Sequence, residues 1–176
     1  LMANGRAAFV EAHDRLAREP WLAIAEVTGR ASAARILAAA PISESEIETI
    51  AGTRLVTQEI TSFDRQAAAL RTRRVRRLDA ITLSEQTLPT AATPEAAQEL
   101  ARGIAAIGVA RLPWTKSLKQ WRDRVMFLRA AEGDEWPDLS DEALTRDIDA
   151  WLAPFIEGRT ALSNISEDDL QNALHA

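Results

Sequence analysis

The spacing of apolar residues changes near residue 90, and this change constrains the fold more than any other feature. In residues 1–83 apolar side chains form short runs and alternations typical of β-strands. Beyond residue 93 they recur every three or four residues, as on one face of an α-helix. Residues 84–92, rich in Thr and Ala with one Pro, are typical of a connector. The sequence therefore predicts an α+β chain, with a small antiparallel β unit followed by an α-helical domain.

In the β unit, two short strands and then two long strands are predicted: residues 21–29, 34–41, 53–64 and 68–83. We expect the two long strands to be joined near residues 64–66. Between the short and the long strands lies a short helix, with Ser43 as its N-cap and Gly52 at its end.

Three helix starts are predicted in the second part, where a capping residue precedes an apolar-periodic segment: Thr93, Ser140 and Ser166. The segment LPWTKSLKQWRDRVMFLR, residues 112–129, places a stripe of apolar side chains on one helix face: Trp114, Leu118, Trp121, Val125 and Leu128. We expect Trp121 to be buried against a further helix over residues 144–155.

Composition limits the class of protein. With 176 residues and 47% hydrophobic side chains, the chain can form a sizeable core. The longest apolar run, residues 35–41, is far too short to span a bilayer. The chain has no Cys, which is compatible with a reducing compartment, so we expect a cytoplasmic location.

Motifs for nucleotide and metal chemistry are missing from the sequence. The glycines never form GxxxxGK[ST] or GxGxxG, so no loop is predicted to cradle phosphate. His13 and His175 lack a ligand pattern, and the acidic clusters lie beside helix starts, where capping explains them better than cation binding. We assign no catalytic residue, no metal and no cofactor to this chain.

The segment LRTRRVRRL, residues 70–78, is the strongest candidate for a binding surface. As a strand it points arginines to both faces, with one set on the side of Val75 and one on the other: Arg71, Arg73 and Arg77, then Arg74 and Arg76. Such a strand can follow a phosphate backbone. Alternatively it is an edge strand that charge protects from pairing, or its arginines pair with acids of another domain.

Charge is divided unevenly along the chain, whose net charge is -5. Residues 1–83 carry 12 basic and 10 acidic side chains, a net charge of +2. Residues 84–176 carry 9 basic and 16 acidic ones, a net charge of −7. The first part is therefore the better polyanion contact, although three basic residues flank the apolar stripe of the second: Lys119, Arg122 and Arg129.

Several segments of the chain resemble, residue by residue, the sequences of a known family. These segments are LMANGRAA, EPWLAIAEVTG, RRVRRLDAITLSEQTLP, LPWTKSLKQWRDRVMFLR, WPDLSDEAL and WLAPFIEG. They follow one another as in the C-terminal region of the HrpB family of bacterial DEAH-box ATP-dependent RNA helicases, which the chain resembles over almost its whole length. The most specific matches are residues 112–129 and 136–158.

The resemblance implies that residues 1–83 are an oligonucleotide-binding (OB)-like β unit, truncated at its N-terminus. It implies that residues 93–176 are a helical domain peculiar to that family, truncated at its C-terminus. The helicase motor domains, with their ATP and Mg, would lie elsewhere in the protein, so whether the protein is an enzyme is not decided by this chain.

Two function classes follow from these observations. In the first, the chain is a non-catalytic accessory fragment that helps to hold single-stranded RNA and docks on the motor domains of the same protein, without a membrane partner. In the second, it is a protein–protein interaction or structural module that touches no nucleic acid. The candidate nucleic-acid contacts are Arg71, Arg73, Arg74, Arg76 and Arg77, followed by Lys119, Arg122 and Arg129.

Overall fold

The computed structural model describes residues 1–30 and 34–176. The chain divides into two compact units. Unit 1 comprises Leu1–Ile60 and Arg73–Thr87, and unit 2 comprises Thr61–Thr72 and Leu88–Ala176. The domain boundaries inferred from the sequence, at residues 83 and 93, stay a prediction.

The strands form two three-stranded sheets. They are β1 (Ala8–Phe9), β2 (Leu22–Thr28), β3 (Ala34–Pro41), β4 (Leu55–Asp64), β5 (Ala69–Leu78) and β6 (Ile81–Leu88). In the first sheet, β3 is central, parallel to β1 and antiparallel to β2. In the second sheet, β5 lies between β4 and β6. The predicted α+β class is confirmed, whereas the OB-like arrangement stays a prediction.

One predicted strand is wrong in its extent. Residues 68–83 form two strands, because the chain turns at residues 79 and 80, where Asp79 has a φ of 51°. Asp tolerates the left-handed region better than most residues, but the apolar pattern continues through the turn and gave no sign of it. The second strand, β6, then continues to Leu88, so the irregular stretch before the helices is shorter than predicted.

The predicted short helix of unit 1 is confirmed as α1 (Glu44–Ala51). The backbone N–H of Glu46 donates to Ser43 Oγ at 3.3 Å, and the backbone N–H of Ser43 donates to Glu46 Oε2 at 2.8 Å. This reciprocal capping box satisfies two amides that would otherwise lack partners. The helix buries Ile47 and Ala51 in unit 1.

Unit 2 is mainly helical. Its helices are α2 (Pro94–Ile107), α3 (Lys116–Glu132), α4 (Asp141–Arg146), α5 (Ile148–Trp151) and α6 (Glu167–His175). The three predicted caps are confirmed, since each hydroxyl accepts from a backbone N–H three residues on: Thr93 at 3.2 Å, Ser140 at 3.2 Å and Ser166 at 3.0 Å. Local side-chain chemistry therefore fixes where these helices begin.

The predicted helix over residues 144–155 is wrong. The segment contains the end of α4, the short helix α5 and a 3₁₀ turn at Ala153–Phe155. Pro154 lacks a backbone N–H and cannot continue an α-helix, which explains the change at its C-terminal end. Asp147 separates α4 from α5, with φ −102° and ψ 18°.

The core of unit 2 is built around residues that are fully buried: Leu100, Ile104, Leu152, Ile156 and Leu170. The end of the β4–β5 turn and the start of β5 belong to this unit and are fastened to it by backbone hydrogen bonds. The N–H of Leu70 donates to Thr160 O at 2.7 Å, and the N–H of Leu162 donates to Ala68 O at 2.9 Å.

Trp121 of α3 is half-buried, whereas the sequence predicted a buried ring packed against residues 144–155. Its ring packs at the margin of the core, with its centroid 4.7 Å from that of His175 in α6. The stripe of α3 does face the core through Leu118 and Val125, which are both buried. The stripe was therefore identified correctly, but its tryptophan lies at the edge of the contact.

Candidate nucleic-acid interface

The arginine-rich segment occupies β5, the central strand of its sheet. β5 is paired with a strand on each side, so the alternative that it is an edge strand protected by its charges is wrong. Of its five arginines, Arg71 belongs to unit 2 and the others belong to unit 1. Guanidinium groups on a central strand can reach only outward from the two sheet faces or toward side chains on the neighbouring strands.

Two of these arginines pair across the sheet with carboxylates on the neighbouring strands. Arg73 contacts Glu85 of β6 at 3.0 Å, and Arg74 contacts Glu59 of β4 at 2.7 Å. The side chains of Arg73 and Arg74 are 43% and 47% exposed. Exposed ion pairs of this kind contribute about 0–1 kcal/mol each, so they hold the guanidinium groups only loosely.

Arg76 is held more firmly, because it reaches two carboxylates on α1. Its guanidinium donates to Glu44 Oε1 at 3.3 Å and to Glu48 Oε1 at 2.5 Å. Arg76 therefore ties α1 to the sheet. In contrast, Nε of both Arg73 and Arg77 is buried without a hydrogen-bond partner within the described residues.

Arg71 contacts Asp64, the last residue of β4, at 3.5 Å. The carboxylate of Asp64 also accepts from the backbone N–H groups of Gln66 and Ala67, at 2.9 and 3.0 Å. These contacts lower the pKa of Asp64, with the Ala67 N–H as the largest cause; burial opposes them and is the second largest effect. An ionised Asp64 thus stabilises the turn between β4 and β5, and Arg71 adds to that turn.

Arg122 of α3 has a structural set of partners in unit 2. Its Nε donates to the Leu139 carbonyl at 2.6 Å, and its other amine donates to Asp141 Oδ1 at 2.6 Å. Its guanidinium carbon also lies 5.3 Å from the centre of the Trp114 ring, within range of a cation–π contact. With 22% of its side chain exposed, Arg122 serves mainly to fasten α3 to the start of α4.

Arg129 plays a similar part at the other end of α3, whereas Lys119 does not. Arg129 donates to the Trp136 carbonyl at 2.5 Å and to Asp134 Oδ1 at 2.7 Å. Lys119 is exposed, and within residues 1–30 and 34–176 no carboxylate lies at ion-pair distance from it. Of the three predicted basic residues of this helix, Lys119 is therefore the one available to a ligand.

Phe127 of α3, which was not among the predicted site residues, has 72% of its surface exposed. It falls outside the apolar stripe of that helix, next to Leu128 but turned away from the core side. Phe127 could have been identified from the sequence, because it is a large apolar residue outside the apolar stripe of an amphipathic helix.

The structure adds two findings about other kinds of site. Within the described part of the chain, no group of three or more acidic or His side chains is placed to hold a metal ion. Nor does any helix of those residues combine the length and the apolar character needed to cross a membrane.

No family model matches the chain. Over 177 residues the chain is 28% identical to the ATP-dependent RNA helicase HrpB of Escherichia coli (strain K12), an alignment that covers 98% of this chain and 22% of the helicase. The chain thus spans about one fifth of the length of that curated relative.

Two solved structures are also similar. The crystal structure of the E. coli DExH-box NTPase HrpB matches with a TM-score of 0.48 and 28% identity, covering 99% of this chain and 22% of that one. The crystal structure of the Escherichia coli DEAH/RHA helicase HrpB matches with a TM-score of 0.47 and 23% identity, covering 98% and 22%. The resemblance to the C-terminal region of HrpB, first read from the sequence, is confirmed over nearly the whole chain.

Proposed function

We propose that the chain is a non-catalytic accessory segment of an ATP-dependent RNA helicase and helps to hold single-stranded RNA. The observation that carries the proposal is the alignment of 98% of the chain with part of a protein named as such a helicase. The RNA contact is assigned to the exposed arginines of β5. ATP and Mg are assigned to motor domains elsewhere in the longer protein.

The ion pairs on β5 are compatible with phosphate binding because they are weak. The side chains of Arg71, Arg73 and Arg74 remain 56%, 43% and 47% exposed while paired. A phosphate group is a strong acceptor for guanidinium and can replace a solvent-exposed carboxylate at little cost. Contacts of this kind hold a strand in position without reading its sequence.

The test is the salt dependence of RNA binding by the full chain, measured by fluorescence anisotropy with a labelled oligouridylate. Replacing Arg71, Arg73 and Arg74 together by Gln should weaken binding. It should also reduce the log–log slope against salt by roughly 0.7 for each lost contact.

A matched control removes the same charge elsewhere. Arg54, Arg102 and Arg146 are also exposed and ion-paired, and their replacement by Gln leaves β5 unchanged. The control should lower affinity only slightly, through net charge, and should keep the slope of the parent chain. Equal slopes for the two triple variants would contradict the RNA role of β5.

A second function is supported by the ion pairs themselves: docking on the motor domains of the same protein, or on another protein, without RNA contact. Four of the five β5 arginines already have carboxylate partners within the described residues, and residues 84–176 carry a net charge of −7. Both facts reduce attraction to a polyanion at long range. Under this second function the parent chain should show no RNA binding, while calorimetric titration with the isolated motor segment, without RNA, should give a saturable heat.

A further inference from the structure

The outer face of α3 combines an exposed aromatic ring with cations that form no ion pair within the described part of the chain. Phe127 is 72% exposed, although burial of a phenylalanine ring is strongly favourable. The helix turns Leu118 and Val125 toward the core, and Phe127 lies away from that buried stripe. Packing within the chain therefore does not account for this ring.

Three cations lie on the same face of α3 as Phe127. Lys116, Lys119 and Arg124 precede it by eleven, eight and three residues, which are spacings that return to one side of a helix. All three are exposed, and across residues 1–30 and 34–176 none has a carboxylate at ion-pair distance. Asp123 lies among them, so the face keeps a net charge of +2.

The arginines of β5 differ from this group. Most of them must leave a carboxylate before they can contact a phosphate, as Arg73 and Arg74 must leave Glu85 and Glu59. The cations of α3 need no such exchange. The distance along the helix from Lys119 to Phe127 is about 12 Å, at 1.5 Å per residue, which gives an extended ligand room to contact both.

A surface depression lies beside the aromatic ring and is lined by Asp123, Arg124, Phe127 and Leu128. One side of it is the ring itself, and Arg124 lies one helical turn before it. A flat aromatic group can therefore stack on Phe127 while a neighbouring anion meets Arg124. Bases and phosphates in a single strand supply these two groups in alternation.

We propose that this α3 outer face, consisting of Lys116, Lys119, Arg124 and Phe127, binds single-stranded RNA, with one base stacked on Phe127. This inference rests on the proposed RNA-holding function and adds a second contact to it. Charge selects RNA over an apolar protein segment as the occupant, because Arg124 borders the ring and Lys116 and Lys119 lie further along the same face. Stacking on an aromatic ring is tolerant of sequence, as phosphate contacts are.

The experiment compares three variants of Phe127 in the full chain, with a fluorescein-labelled oligouridylate as the probe. Phe127→Ala should weaken binding about 5- to 150-fold, the range that stacking of one base provides, without changing the salt slope. Phe127→Trp should bind as the parent chain does. Phe127→Leu should behave like the alanine variant, because it keeps apolar area and loses the aromatic face.

The cations are tested separately from the ring. Lys119→Gln combined with Arg124→Gln should lower the salt slope by roughly 0.7 per lost contact. For Phe127→Ala the matched control is Ile50→Ala, since Ile50 is 76% exposed on α1 and lies far from α3 in the sequence. It should leave RNA binding unchanged, and thermal unfolding should show that every variant is folded.

The outcomes separate this inference from the function on which it rests. Normal RNA binding by all Phe127 variants, together with a reduced slope in the β5 variant, overturns the α3 contact alone. Normal binding by Phe127→Leu overturns base stacking. If RNA binding is unchanged while Phe127→Ala loses affinity for the isolated motor segment, the face is a protein-docking surface. No RNA binding by the parent chain overturns both proposals.

Discussion

Gly103 of α2 lies directly beneath the ring of Phe63. A Cβ atom added at Gly103 would come within 2.1 Å of Cγ of that ring, far inside normal contact distance. Phe63 itself packs against the core of unit 2, so its ring has little freedom to move aside. The absence of one carbon atom at this position therefore permits the contact between helix and ring.

We expect Gly103→Ala to destabilise the chain, although alanine favours helix more than glycine does. Overpacking of a core costs about 1–3 kcal/mol, whereas the gain in helix propensity is about 1 kcal/mol, so the net loss should be up to about 2 kcal/mol. Urea unfolding followed by circular dichroism measures this difference.

Two companions make the test specific. Gln98→Ala introduces alanine at an exposed position of the same helix and should change the free energy of unfolding by less than about 0.5 kcal/mol. In a Phe63→Leu background, Gly103→Ala should cost less stability than it does in the parent chain, because the phenyl ring that excludes the added methyl group is gone. Additive effects in that pair would show that the ring is not what excludes the side chain.

At the scale of the element, the first turn of α6 depends on one carboxylate. Asp169 accepts from the backbone N–H of Ser166 at 2.8 Å and from the guanidinium of Arg159 at 3.0 and 3.1 Å. The Arg159 hydrogen bonds are the largest cause that lowers the pKa of Asp169, and burial opposes them. The carboxylate links the capped helix to the preceding loop.

The stability that this group contributes should depend on pH in one direction. Because its pKa is lower in the folded state, the contribution is complete above the unfolded value of about 3.9 and is lost as pH falls through the folded pKa. We expect Asp169→Asn to unfold at lower urea than the parent chain at neutral pH. The difference should shrink below the unfolded pKa.

Asp168→Asn provides the comparison, because Asp168 is exposed in the same turn. Its effect on the unfolding midpoint should be small at either pH. A gap between parent and Asp169→Asn that stays constant down to strongly acidic pH would mean that the carboxylate charge is not involved.

Features that depend on a few neighbouring residues were predictable from the sequence. The N-caps at Ser43, Ser140 and Ser166 are confirmed because a hydroxyl and a backbone amide three residues away suffice to form them. The turn at Asp79 was missed, since no glycine or proline marks it and apolar residues continue on both sides. Local pattern locates helix starts better than it divides a continuous apolar run.

The partners of the basic residues could not be predicted in the same way. Arg76 meets Glu44 and Glu48 of α1, which lie about thirty residues earlier in the chain. The sequence showed a row of arginines, but not that β5 is a central strand. Such contacts arise from tertiary pairing, which local periodicity does not encode.

At the scale of the whole molecule, the distribution of charge limits how the chain can act. Its net charge of -5 disfavours the approach of a polyanion, and salt confines this repulsion to about the Debye length, about 8 Å at physiological salt. Any RNA contact must therefore depend on cations that are exposed locally, on β5 or on the outer face of α3. Such binding is expected to be weak alone and to gain from a second RNA-binding segment on the same chain.

The sequence of the whole chain also predicts that it does not hydrolyse ATP. None of the glycines of the chain forms GxxxxGK[ST] or GxGxxG, the loops whose backbone amides surround nucleotide phosphates. Phosphoryl transfer depends almost entirely on positioning and charge stabilisation by such parts. We expect the purified chain to release no phosphate from ATP above buffer, with or without oligouridylate, in a coupled assay. Saturable hydrolysis that co-elutes with the purified 176-residue chain would contradict its assignment as a non-catalytic segment.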